Sequence, residues 1–176
     1  MLDIGLGHHL DTLLHVLGSE LTSVSATTAT LYPTVTLTQD DGTLTDETVT
    51  SNVPDHIALH GTLANGTFLS VSFRGRYKST PGRQQLLWVI DGDAGSIRLE
   101  GSGPGAASVQ IHPPKLYLDG DEIEVESDNY LSHILAMQFA EFAKGEEGTY
   151  ATLEDAVKMR GLLDAIARSG QKRLDL

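Results

Sequence analysis

The feature that most limits how this chain can fold is a change of hydrophobic period along it. Between Asp55 and Val125 the apolar residues fall into short runs: His56–Leu63, Thr67–Tyr77, Gln85–Ile90, Ser96–Glu100, Ser108–His112, Lys115–Leu118 and Glu122–Val125. Turn-forming residues separate them, namely Asn65-Gly66, Asp91-Gly92-Asp93, the Gly101–Gly105 segment, Pro113-Pro114 and Asp119-Gly120. Short strands at this spacing predict an antiparallel meander, with Asn65-Gly66 as the strongest hairpin signal. Upstream, the Thr-, Val- and Ser-rich stretch Glu20 to Thr38 also favours strands. Asp40-Asp41-Gly42 reads as a turn and Gly42 to Asn52 as a polar loop.

The flanks follow a helical period. Leu10, Leu13, Leu14 and Leu17 stand at i, i+3, i+4 and i+7, with Gly18 as a stop. Leu131, Leu135, Phe139 and Phe142 mark a second helix ended near Gly145. Met159, Leu162, Leu163 and Ile166 mark a third that stops at Gly170. Thr152 ahead of Leu153-Glu154-Asp155 resembles a capping box with Asp in place of Glu. Helix, strands, then helices predict an α+β fold: an open, mostly antiparallel sheet with helices packed on one face. With no internal repeat and no long linker, residues 1–176 read as a single domain.

Composition narrows the function classes. A chain of 176 residues suits one domain and can bury a real core. It has no cysteine, which excludes disulfides, thiol nucleophiles and thiolate metal sites. Twelve basic side chains face 24 acidic ones for a net charge of −12, and every Lys and Arg lies at or after Arg74. Nucleic acid is excluded as a partner, because phosphate binding needs a basic face. Met1-Leu2-Asp3 begins no secretory signal or transit peptide. The apolar runs fall far short of the roughly 20 residues that span a bilayer, so a cytoplasmic protein without a membrane partner is expected.

The candidate chemistry is sparse. His8, Asp11 and His15 share one helix face, largely opposite the leucines. A histidine near a helix N-terminus is held neutral by the dipole and could act as acid, base or donor; the plainer reading is a solvated face. His56 and His60 share a strand face beside Asp55, but spacing identifies no third ligand, so no metal site is expected. Arg74, Arg76, Lys78 and Arg83 surround a Gly-Arg-Tyr-Lys-Ser-Thr-Pro-Gly segment that could hold an anionic substrate or simply offset nearby acids. Tyr77 and Trp88 could wall a pocket or serve packing. Gly5-x-Gly7 fails the dinucleotide fingerprint, since no third glycine follows and His8-His9 interrupt the loop. No Walker, G-x-S-x-G or H-E-x-x-H sequence occurs, and no cofactor is expected.

Three segments together carry a resemblance: Ile4-Gly5-Leu6-Gly7-His8-His9-Leu10-Asp11 running into Val16-Leu17-Gly18; Pro54 to Leu63 with Gly66; and Thr152 to Val157 followed by Leu163 to Ser169. The chain resembles the C-terminal domain of the Gfo/Idh/MocA oxidoreductase family, in its fungal galactose-repressor-like branch. The resemblance implies an open antiparallel sheet that binds substrate and oligomerises, with NAD(P) and a catalytic lysine supplied by a separate Rossmann domain. It maps the family's H-x-x-D histidine onto His8, with Asp11 as the following acid. The position four before the histidine, often aspartate in the family, is Ile4.

Hydride transfer requires a nicotinamide bound and oriented against the substrate, and no dinucleotide motif is present for that task. Two classes of function follow. In the first, the chain is an oxidoreductase-like C-terminal domain that binds a small organic metabolite and forms a homodimer through its sheet, with a Rossmann-domain partner if it is a fragment; it is not a dehydrogenase alone. In the second, it is a cofactor-independent isomerase, dehydratase or cyclase of small-molecule biosynthesis. His8 would then be the acid–base group oriented by Asp11, with His15, His60, Arg74, Arg76, Tyr77 and Trp88 as substrate contacts.

Overall fold

The computed structural model describes residues 2–39, 41, 43–75, 83–103, 105–109, 111–124 and 130–170. The fold is α+β with antiparallel sheets. The chain separates into two compact units, Met1–Tyr77 with Ala151–Leu176, and Lys78–Tyr150.

In the first unit a π-helical turn, Leu2–Leu6, runs into α1, Gly7–Leu17, as the leucine period predicts. Gly18 ends α1 in the left-handed region, at φ 58°, and donates its N–H to His15 O at 3.1 Å. Then follow β1 (Leu21–Ala29), β2 (Thr34–Thr38), β3 (Leu44–Thr50), β4 (His56–Leu63) and β5 (Phe68–Arg74), with α3 (Leu153–Gly170) returning at the end. β4 lies between β1 and β5, antiparallel to both. The β4–β5 hairpin turns at Asn65-Gly66: Gly66 sits at φ 87°, and the Asn65 side-chain oxygen accepts the Thr67 N–H at 3.1 Å.

The core of this unit forms where helices meet one face of the sheet. Leu6, Leu10, Leu13, Ile57, Leu59, Leu63, Leu69, Leu163 and Ile166 are buried there. Gly5 lets the chain cross Phe73, since a Cβ at Gly5 would lie 2.6 Å from the Phe73 ring. The Ser169 hydroxyl accepts the Ala26 N–H at 2.9 Å, satisfying a donor on edge strand β1. The reciprocal cap at Thr152 forms as expected: Asp155 N–H donates to the Thr152 hydroxyl at 3.2 Å, and Thr152 N–H donates to the Asp155 carboxylate at 2.9 Å.

In the second unit β6 (Gln84–Gly92), β7 (Gly95–Ser102), β8 (Lys115–Leu118) and β9 (Asp121–Ile123) form a four-stranded antiparallel meander in chain order. α2, Tyr130–Ala143, follows. None of its residues is buried, and the predicted stripe of Leu131, Leu135, Phe139 and Phe142 is exposed.

Two local expectations are corrected. Leu44–Thr50, read as loop, is strand β3 paired with β2, Thr34 opposite Thr50 and Val35 opposite Val49. β-branched residues favour the pleated conformation even where neither face is apolar enough to give a period-two signal. Ser108, Val109, Ile111 and His112, read as strand with Gln110 (which lies outside the described residues), are not strand: Ile111 and His112 N–H both donate to Ser108 O, at 2.8 and 2.9 Å. Gly103 and Gly105 at φ 93° and 78° precede them, and the Pro113-Pro114 pair follows. Asp40, Gly42 and Val125, which fall within predicted turns or strands, lie outside the described residues. Among the described residues no helix is long and apolar enough to cross a membrane.

Candidate functional site

α1 is fixed by Leu6, Leu10 and Leu13, all buried, so the residues between them on the other side face outward. His8, Asp11 and His15 are all exposed and form the polar face that their spacing predicts. Among the described residues no hydrogen bond joins His8 to Asp11; the local bond runs from the Thr12 hydroxyl to His8 O at 2.9 Å. His15 sits in the last turn of α1. His9, which the sequence reading passed over as a site residue, is half-buried, its ring 5.9 Å from that of Phe73. The signal was present: His9 stands three after Leu6 and four before Leu13, on the edge of the buried stripe.

The opposite face of the first unit's sheet is open and unlike a core face. Pairing places Ser25, His60 and Ser70 side by side, then Thr27, Ala58 and Ser72, then Ala29, His56 and Arg74. Six of these nine are small, namely serine, threonine or alanine, and the others are His56, His60 and Arg74; His60 is stacked on Phe68 at 6.1 Å between ring centroids. α1 packs on the other side of the same sheet, so His60 and His8 do not line one pocket. Trp88 lies on β6 of the second unit, half-buried. Arg76 and Tyr77 lie outside the described residues. Arg74 ends β5, exposed, directly opposite His56.

The hydrogen bonding of Asp55 went unread in the sequence. Asp55 is completely buried at the start of β4. Its carboxylate accepts the Leu31 N–H at 2.9 Å, the Tyr32 N–H at 2.8 Å and the His56 Nδ1–H at 2.8 Å. Burial alone would raise its pKa, but the hydrogen bonds from His56, Leu31 and Tyr32 outweigh that and hold it at about 2. Donation from Nδ1 fixes the imidazole, whose ring centroid lies 6.0 Å from that of Tyr32. Pro54-Asp55 ahead of a strand is the only sequence sign of this arrangement. Among the described residues no three His, Asp or Glu side chains group to hold a metal ion.

Comparison with known proteins gives a consistent picture. The family model described as "Gal80p, C-terminal domain" matches residues 1–101. The dehydrogenase aclE of Aspergillus oryzae is 30% identical over 174 residues, covering 94% of this chain and 44% of that protein. The crystal structure of the transcriptional regulator Gal80p from Kluyveromyces lactis superposes on 97% of this chain and 45% of its own, at TM-score 0.75 and 24% identity. An aldose–aldose oxidoreductase from Caulobacter crescentus, solved with glycerol, superposes on 97% of this chain and 45% of its own, at TM-score 0.61 and 17% identity. The chain thus spans less than half the length of each of these relatives.

Proposed function

The chain belongs to the family of the Gal80p C-terminal domain, and from that premise we propose that it is the recognition half of a two-part, oxidoreductase-like protein. Its task is to bind a small organic metabolite and to self-associate, in the cytoplasm, as one C-terminal-type domain. Redox chemistry, where the whole protein performs any, belongs to a separate dinucleotide-binding domain. The observation that carries this reading is the breadth of the likeness: nearly the whole of this chain aligns with less than half of a dehydrogenase and less than half of a transcriptional regulator. A scaffold common to a dehydrogenase and a regulator is one on which recognition is shared while chemistry is decided elsewhere.

The exposed face of α1 supplies the polar groups for metabolite binding. His8 and Asp11 are open to a ligand, and neither is engaged with the other.

Self-association is best served by the second unit. In its meander Trp88, Ile90, Ile97, Leu99, Leu116, Leu118 and Ile123 fall on one face by cross-strand pairing. Ile97, Leu118 and Ile123 are 36%, 48% and 41% exposed, which is a contiguous apolar surface of the kind that marks an interface. The open face of the first unit is too polar for that role. Sedimentation velocity tests the proposal: the chain sediments as a dimer, and Leu118→Lys, checked for fold by circular dichroism, sediments as a monomer. A wild-type monomer in dilute solution, or a dimer unaffected by Leu118→Lys, overturns it.

A further inference from the structure

At one end of the first unit's sheet, where β1 and β5 stop and β4 begins, Ala29, His56 and Arg74 stand side by side across three strands. Their side chains share the open face, since Ile57 and Leu59 take the buried one. Directly paired residues carry Cβ atoms about 4.5–5.5 Å apart, so the imidazole and the guanidinium are neighbours. On its other side His56 meets only the methyl group of Ala29. The His56 side chain is 24% exposed, and its Nε2 makes no hydrogen bond among the described residues.

Asp55 fixes this arrangement. It takes the His56 Nδ1–H at 2.8 Å and the Leu31 and Tyr32 N–H groups at 2.9 and 2.8 Å, so one carboxylate sets both the imidazole and the Tyr32 backbone. Its own N–H donates to Ala29 O at 3.0 Å, and its carbonyl accepts the Gly75 N–H at 2.7 Å, which ties the ends of all three strands to it. The Tyr32 ring stands 6.0 Å from the imidazole, tilted by 34°. The bond at one nitrogen of a histidine decides what the other nitrogen presents.

The donors decide the ligand class. With Nδ1–H given to Asp55, a protonated imidazole has one N–H left, at Nε2. Arg74 adds a guanidinium whose five N–H donors are more than a single protein partner uses. The complementary ligand is an anion. The nearest backbone N–H groups, those of Leu31, Tyr32 and Gly75, are already committed, so no nest remains for the further oxygens of a phosphate. A carboxylate has two oxygens, one for each side chain, and the Tyr32 ring gives an apolar flank. We propose that His56 and Arg74 bind the carboxylate of a small organic acid, with His56 Nε2 donating to one oxygen and Arg74 to the other.

The site lies across the sheet from α1 and does not depend on the role given to His8. NMR of the full chain at pH 6 and constant ionic strength, titrated with sodium acetate, sodium benzoate, sodium phosphate and neutral benzamide, tests it. At that pH an ordinary imidazole, of pKa about 6.5, is largely protonated. The expected result is a saturable shift of the His56 ring resonances and the Leu31 and Tyr32 amides with acetate or benzoate, and none with benzamide. Arg74 is exposed, so Arg74→Gln keeps the fold by circular dichroism and weakens binding about tenfold or more, as loss of a charge-assisted hydrogen bond should. Should that variant fail to fold, the benzoate–benzamide comparison on the unaltered chain still decides. Four results overturn the proposal: no saturable shift with either carboxylate, benzamide bound as well as benzoate, phosphate bound more tightly than both carboxylates, or carboxylate binding unchanged in folded Arg74→Gln.

Discussion

At the scale of single residues, Asp55 carries the most stored interaction. A buried carboxylate is stable only when its lone pairs are occupied, and here two backbone N–H groups and an imidazole occupy them. Asp55→Asn keeps the size but sets an amide against those donors, and should cost about 2–3 kcal/mol in urea unfolding at neutral pH. The pH dependence follows from the sign of the shift. The folded pKa, about 2, lies below the ordinary value of 3.8. Asp55 therefore stabilises the fold above the ordinary carboxylate range, and that contribution is lost as pH falls from about 4 towards 2. Circular dichroism across that interval should show a steeper loss for the wild type than for Asp55→Asn. His8 is the contrast: exposed and without a side-chain bond, it should be replaceable by Ala within about 0.5 kcal/mol of wild-type stability. A large destabilisation by His8→Ala would assign it a structural role instead.

At the scale of elements, glycines and caps set the boundaries. A Cβ on Gly61 would lie 2.0 Å from Ser23 O, where the β1–β4 register shifts. A glycine inside a strand here marks a close backbone approach. Gly61→Val should therefore destabilise the first unit by roughly 1–3 kcal/mol and lower its urea midpoint. Thr152→Ala removes one arm of the reciprocal cap of α3 and should cost about 1 kcal/mol.

The same elements show what was legible in the sequence. α1, β4, β8 and α3 matched closely because period and punctuation agreed in each: leucines then Gly18, alternating apolar residues before Asn65-Gly66, Pro113-Pro114 and Asp119-Gly120 on either side of β8, and Thr152 before the last stripe. β3 was missed because Leu44–Thr50 is polar on nearly every position and pairs only with β2. Ser108 to His112 was misread because an alternating pattern over five residues does not outweigh two glycines at positive φ. Of the candidate site, the shared face of His8, Asp11 and His15 follows from spacing alone. That His60 falls on the opposite side of the sheet does not, since it depends on which face the helices cover. The two backbone bonds to Asp55 depend on where the Leu31–Tyr32 segment folds back, which no local pattern records.

At the scale of the whole molecule, each unit presents a differently built sheet face. That of the first unit is exposed and made of small residues with His56, His60 and Arg74, whereas that of the second is mostly aliphatic and half-exposed. The apolar face of the meander is the one proposed above for self-association. No residue pattern in either unit supplies the glycine-rich turn and helix N-terminus that hold a dinucleotide pyrophosphate. The account therefore stands on the separation of recognition from redox chemistry. Isothermal titration of the purified chain with NAD⁺ and with NADP⁺ tests it most directly. The account predicts no saturable heat from either nucleotide; a stoichiometric, tight isotherm from this chain alone would contradict it.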